Sequence, residues 1–286
     1  MISTGRTMPN AFTIDLEDYF HVSAFDDILD RADWDRQESR VEASTRRLLD
    51  LLDRFEVKAT FFVLGWVADR KPDLVREVAE RGHEIGAHSF EHRLVYSLSR
   101  EAFEADLQRC LDAVEAACGV RPRSYRAPSF SVREDSLWAL ESMAAHGIEI
   151  DSSIFPVRHD RYGIPSYPRF PLQTHGLVEF PMTTWRVAGV NVPCCGGGYL
   201  RIFPEWVLHR GIRQANDAGQ PAVLYLHPWE VDPDQPRMPV GRLTRWRHYT
   251  GLDRVMGRLE RLLERYQWST ISEALRSAPV APAEAP

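Results

Sequence analysis

ATFFVLGWVADRKPDLVREVAERGHEIGAHSFEH, residues 59–92, carries the pattern that decides the fold. ATFFVLG is an aromatic and β-branched run of strand length. Pro72 then opens a helix whose apolar stripe is Leu74, Val75 and Val78, Gly82 ends it, and HEIGAHS starts a second strand. Strand, helix and strand in this order predict parallel strands with the helix packed outside. The alternation extends in both directions. Further strand-like runs are AFTID, SYRAP, IEIDSSI, LVEFPM, PAVLYLH and WSTIS; further helical patterns cover 46–55, 99–114, 134–145, 204–219 and 252–266. Seven or eight parallel strands suit a closed barrel better than an open sheet. The expected class is α/β, a distorted (β/α) barrel whose chemistry lies at the carboxyl ends of the strands.

The bulk properties are those of a globular chain. Its 286 residues are 44% hydrophobic and 27% charged, a length and balance at which one large domain is expected over 1–276, with SAPVAPAEAP (277–286) as a disordered tail. Thirty-five Lys and Arg against 41 Asp and Glu leave a net charge of −6, which argues against nucleic acid as a partner. The amino terminus lacks the charged, apolar and small-residue regions of a secretory signal, and no run is long enough for a transmembrane segment. A cytoplasmic protein, working at the inner face of the membrane, is the expectation. Four cysteines, two of them adjacent (Cys194 and Cys195), make no disulfide framework and no paired CxxC zinc site. Oligomeric state is not written in the sequence.

Reactive side chains fall where the strands finish. The first ends in Asp15, Glu17 and Asp18, with Asp15 and Glu17 on one face if the chain stays extended. Taken alone, this segment reads equally well as a solvated strand end. His88 and His92, four apart, follow the small residues Gly86 and Ala87 and can aim two imidazoles at one point. Arg126 lies in an apolar strand, where an unpaired guanidinium is expensive, so it is expected to face a carboxylate of strand one. Asp151 ends the next strand, to orient a partner or to cap a turn. His227 closes PAVLYLHPWE and has the ordinary pKa suited to proton transfer near neutrality; Trp229 offers an apolar wall for a sugar ring. The triple glycine of CCGGGYLRIFP is not a phosphate loop, because no GxxxxGK[ST] pattern exists.

In order along the chain, TIDLED, HSFEH, RAPSF, DSSIFP and YLH resemble the motifs of the polysaccharide deacetylases, the NodB-homology carbohydrate esterases. IDLEDYFHV, EHRLVY, GGGYLRIFP and LHPWE are similar to the subgroup associated with exosortase-linked exopolysaccharide clusters. The resemblance covers Thr13 to His227 and departs from the family at residue 16, where Leu stands in place of an Asp. It implies a hydrolase of linear amide bonds that removes N-acetyl groups from an amino-sugar polysaccharide or its precursor. It also implies a divalent metal, zinc first and cobalt, nickel or manganese as alternatives. The implied ligands are His88, His92 and either Glu17 or Asp18. Asp15 is the implied base, held by Arg126, and His227 the acid, oriented by Asp151; the N–H of Phe130 stabilises the oxyanion, and Trp229 contacts the substrate. Two other readings remain open: an allantoinase-like amidohydrolase acting on a small ureide, and a sugar-binding barrel without activity.

Overall fold

In the computed structural model, residues 8–282 are described. The strands are β1 (Asn10–Leu16), β2 (Thr60–Val63), β3 (Glu84–Ala87), β4 (Ser124–Tyr125), β5 (Ile150–Asp151), β6 (Leu172–Thr174), β7 (Leu177–Glu179), β8 (Thr184–Val187), β9 (Val190–Pro193), β10 (Val223–Leu226) and β11 (Trp268–Ser269). One sheet runs β10-β1-β2-β3-β4-β5-β7-β6, with β11 paired to β1. Every pairing in it is parallel except β6 with β7. The helices are α1 (Val41–Arg54), α2 (Gly65–Arg70), α3 (Pro72–Glu80), α4 (Arg100–Cys118), α5 (Trp138–Ala145), α6 (Gly197–Ile202), α7 (Glu205–Asp217), α8 (Arg242–Tyr249), α9 (Val255–Arg265) and α10 (Ile271–Arg276).

Side-chain alternation splits the core into two layers. Phe12, Ile14, Leu16, Phe61, Val63, Leu224 and Leu226 pack in the cluster shared with the helices. Ala11, Phe62, Val223 and Tyr225 form a second cluster on the other face of the same strands. Thr13 and Asp15 share the alternation of Ala11 and so belong to that inner face. Helix ends obey local chemistry. Ser99 accepts a hydrogen bond from Ala102 N to start α4, and Gly119, at φ 74°, stops it. α1 begins at Val41, five residues before the apolar pattern at Arg46, because the Asp18 carboxylate accepts hydrogen bonds from the Arg40 and Val41 amides.

The expected closure differs. No ladder joins β10 to β7; the segment after β7 spans the gap irregularly, with Met182 N on Ile154 O (3.0 Å), Val223 N on Thr183 Oγ1 (2.7 Å) and a single bridge between Gly196 and Tyr225. Pro181 lacks the N–H a strand would need there, and the chain leaves as the β8–β9 hairpin. The result is a curled, mostly parallel half-barrel. The tail expected to be disordered from 277 is placed as far as 282, since Ala281 exchanges hydrogen bonds with Pro171 and Gln173 beside β6; 283–286 lie outside the described residues. Among the described residues, no helix is long and apolar enough to cross a membrane.

Candidate active site

Strand register sets the level of the site. Leu16 aligns with Val63, Val63 with Ala87, and Ala87 with Tyr125, so the next residues along, Glu17, His88 and Arg126, leave the sheet on one rim. On the other side of β1, Ile14 aligns with Leu226, which puts Asp15 level with His227.

Glu17, His88 and His92 bring one ligand atom each within 4.8 Å of one another, all buried. His92 Nε2 is 2.9 Å and His88 Nε2 is 4.0 Å from Glu17 Oε2. The two imidazoles converge without a helix between them, because Ser89 (φ 63°) and His92 (φ 52°) turn the backbone left-handed. Asp106 of α4 fixes this strained loop by accepting from the Phe90 and Glu91 amides at 2.9 and 3.1 Å. His88 Nδ1 lies 2.7 Å from the Arg126 carbonyl, which assigns the proton to Nδ1 and leaves Nε2 as a lone pair facing the carboxylate. Burial pushes the His88 imidazole down to about 4. For Glu17, burial raises the carboxyl, but the surrounding imidazoles, His92 foremost, outweigh it and hold the group well below the usual carboxylate range. Close as His92 is, Glu17 Oε2 has no aligned hydrogen-bond partner among the described residues. Lone pairs and one negative charge, converging in a buried space, form a donor set that a divalent cation satisfies.

Asp18, the alternative ligand, is committed elsewhere. Its oxygens accept from Tyr19 N, Ser39 Oγ, Arg40 N and Val41 N, all within 3.1 Å. It is the cap that joins strand one to α1. Glu17 alone of the pair faces the histidines.

Arg126, fully buried, donates to Asp15 Oδ1 and Thr13 Oγ1 (both 2.8 Å), to Ser152 O (3.2 Å) and to Ser152 Oγ (3.1 Å). Its guanidinium lies 4.3 Å from the centre of the Phe62 ring. Asp15 is thus held by one oxygen, and the other, Oδ2, lies 3.9 Å from His227 Nε2. His227 Nε2 is 3.7 Å from Glu17 Oε1, and its side chain, 16% exposed, is the most open of these groups.

Three expected roles need correction. Asp151 does not reach His227: its carboxylate bonds to Ser153 Oγ (2.5 Å) and pairs with buried Glu179, both pushed up by burial. The partner of His227 Nδ1 is Glu230 Oε1 at 2.8 Å, with Glu230 Oε2 on Arg201 Nε at 2.6 Å. Burial lowers the His227 imidazole, but the Glu230 hydrogen bond and the charges of Glu17, Glu230 and Asp15 raise it to about 9. Phe130 N is spent on the Ala127 carbonyl (3.1 Å), so it is not an oxyanion donor. Ser129, also left-handed (φ 52°), sits second in that turn, and among the described residues its amide has no hydrogen-bond acceptor. Trp229 lines the cleft but offers no open face, since it stacks on His227 (4.9 Å) and His248 (4.3 Å); its indole N–H reaches Glu17 Oε1 at 3.3 Å.

Sequence reasoning missed Glu230, Arg201 and Asp106. The first had a signal: Pro228 after His227 forces a turn that brings residue i+3 back to the histidine. All four cysteines are free thiols, and Cys194 and Cys195 are buried side by side (Sγ–Sγ 3.3 Å).

Residues 20–148 match the family described as polysaccharide deacetylase, and residues 152–276 match a family described as a domain of unknown function, DUF3473. His88, His92 and Arg126 fall in the first match and Arg201, His227 and Glu230 in the second, while the sheet runs through both. Over 98 residues the chain is 32% identical to a peptidoglycan-N-acetylglucosamine deacetylase of Bacillus cereus, covering 34% of this chain and 36% of that protein. It is 39% identical over 74 residues to a chitooligosaccharide deacetylase of Rhizobium leguminosarum bv. trifolii, covering 26% and 34%. The chain therefore spans about a third of the length of these relatives. A Mycobacterium smegmatis structure named as a candidate polysaccharide deacetylase superposes with TM-score 0.65 at 22% identity, over 100% of this chain and 96% of that one, which establishes the shared fold.

Proposed function

We propose, from the match of residues 20–148 to the polysaccharide deacetylase family, that the chain removes N-acetyl groups from an amino-sugar glycan or its biosynthetic precursor, in exopolysaccharide synthesis. The observation that carries the reading is the convergence of Glu17, His88 and His92, with His227 Nε2 3.7 Å from Glu17 Oε1 and 3.9 Å from Asp15 Oδ2. Both matched segments act as one catalytic unit.

Glu17, His88 and His92 would hold a divalent cation, with zinc the natural occupant of a site of two imidazoles and one carboxylate. When bound, it supplies Lewis-acid polarisation and a lowered pKa for water. The side chains supply the rest. Asp15, fixed through Oδ1 by Arg126, keeps Oδ2 to take the proton of the attacking water. The Ser129 amide donates to the oxygen that gains charge as the acetamide carbonyl becomes tetrahedral. His227, kept protonated by Glu230, delivers a proton from Nε2 to the departing amine. Its protonated state at neutral pH suits an acid rather than a base. Asp15 and His227 divide the proton transfers, and no covalent intermediate is needed.

The test is acetate release from N-acetylglucosamine oligomers by the zinc-loaded chain, with allantoin ring opening assayed in parallel. Acetate from the oligomers supports the deacetylase; turnover of allantoin alone would replace it with the ureide hydrolase. Binding of oligomers without turnover of either substrate would support the inactive sugar-binding barrel.

A further inference from the structure

Beside the site lies a cleft of about 440 Å³, which reaches the catalytic groups through Ser129, Tyr225 and Trp229. Its walls are aromatic and cationic. Tyr162, Tyr199 and Trp246 supply apolar surface, while Arg161 and Arg247 supply charge from two separate parts of the chain, and among the described residues no Asp or Glu lines it. That composition is unusual for a chain of net charge −6.

Neither arginine is neutralised by an acid. Other exposed arginines are engaged by carboxylates, as Arg70 by Asp35, Arg54 by Glu260 and Arg261 by Glu205. Arg201, the third arginine of the cleft, is buried on Glu230. Among the described residues, neither Arg161 nor Arg247 has a carboxylate within ion-pair distance, although both are exposed. Asp160, the acid nearest in sequence, is taken by His159 at 2.9 Å. Arg247 also belongs to a stretch, 236–251, that holds four arginines and no acid. Two unneutralised guanidiniums in a cleft that also has aromatic walls suit a planar or tetrahedral oxyanion attached to a sugar.

We propose that Arg161 and Arg247 form an anion subsite, and that the glycan deacetylated here carries a phosphate or a carboxylate close to the reacting N-acetyl sugar. This rests on the deacetylase reading for its placement next to the chemistry. A sugar phosphate and a uronate-containing glycan share the oxyanion, and they differ in where it sits: at the reducing end or on a neighbouring sugar.

The experiment titrates the zinc-loaded chain calorimetrically with N-acetylglucosamine, with its 1-phosphate, and with oligosaccharides alternating N-acetylglucosamine and glucuronate. Acetate release is measured on the same compounds and on a neutral oligomer. At least one anionic compound is expected to bind about tenfold tighter than its neutral counterpart at low salt, an advantage that fades as salt is raised. Arg161→Gln with Arg247→Gln should abolish the advantage, and Arg161→Lys with Arg247→Lys should restore most of it. An advantage confined to the phosphate places the anion at the reducing end; one confined to the uronate places it within the chain. Equal binding of neutral and anionic compounds overturns the subsite, as does an advantage undiminished in the double Gln variant. Preferential anion binding without acetate release from any compound sustains the subsite and removes the deacetylase reading.

Discussion

Glu230 Oε1 lies 2.8 Å from Nδ1 of His227, and its other oxygen is held by the buried guanidinium of Arg201. The carboxylate therefore fixes both the orientation of the imidazole and its proton. Glu230 itself is kept below its usual value: burial raises it, and Arg201 and His227 more than compensate.

The first prediction concerns pH. His227 acts in its protonated form, so activity should fall as pH rises through the raised value of about 9. Glu230→Gln removes the largest raising influence, and the alkaline limb of kcat/KM should move down by roughly one pH unit or more. Asp151→Asn, remote from His227, should leave that limb where it is. A limb that follows Asp151 and ignores Glu230 would restore the partner expected from the sequence.

His227→Ala should lower kcat by roughly 10²–10⁴, as loss of a general acid does, with bound metal retained. Metal analysis and steady-state kinetics on one preparation check both halves. Unchanged turnover would remove His227 from the chemistry.

Glu17 and Asp18 separate by opposite effects. Glu17→Ala should abolish binding of the cation. Asp18→Ala should keep it but lower stability by about 2 kcal/mol, because a carboxylate satisfying three backbone amides at a helix start is lost. Equilibrium dialysis against zinc and denaturant melts distinguish the two.

Asp15→Asn leaves a fully buried guanidinium without its counter-charge, which costs about 3 kcal/mol. Acetate release should vanish with it, whereas a role confined to stability would leave the folded fraction active.

The strands and their rim were legible because parallel strands buried on both faces write continuous apolar runs, and the reactive residues stand where those runs stop. Arg126 was placed against strand one by the cost of burying its charge. Legibility ended where geometry depends on turns. Whether Glu17 or Asp18 faces the histidines follows from the capping of α1, and the spent amide of Phe130 from left-handed residues after Pro128. The open side of the barrel follows from Pro181 and a hairpin in a segment without strand periodicity. Arg201 and Glu230 are far apart in sequence, and nothing in either segment announces the pair.

The most direct test strips the chain of metal and titrates zinc back while counting bound equivalents and acetate released from an N-acetylglucosamine oligomer. Activity should be absent without metal and rise in proportion to occupancy, saturating at one equivalent per chain, with no rise in the Glu17→Ala or His92→Ala variants. Full acetate release from the metal-free chain, or activation by zinc in those variants, would contradict a catalytic centre built on Glu17, His88 and His92.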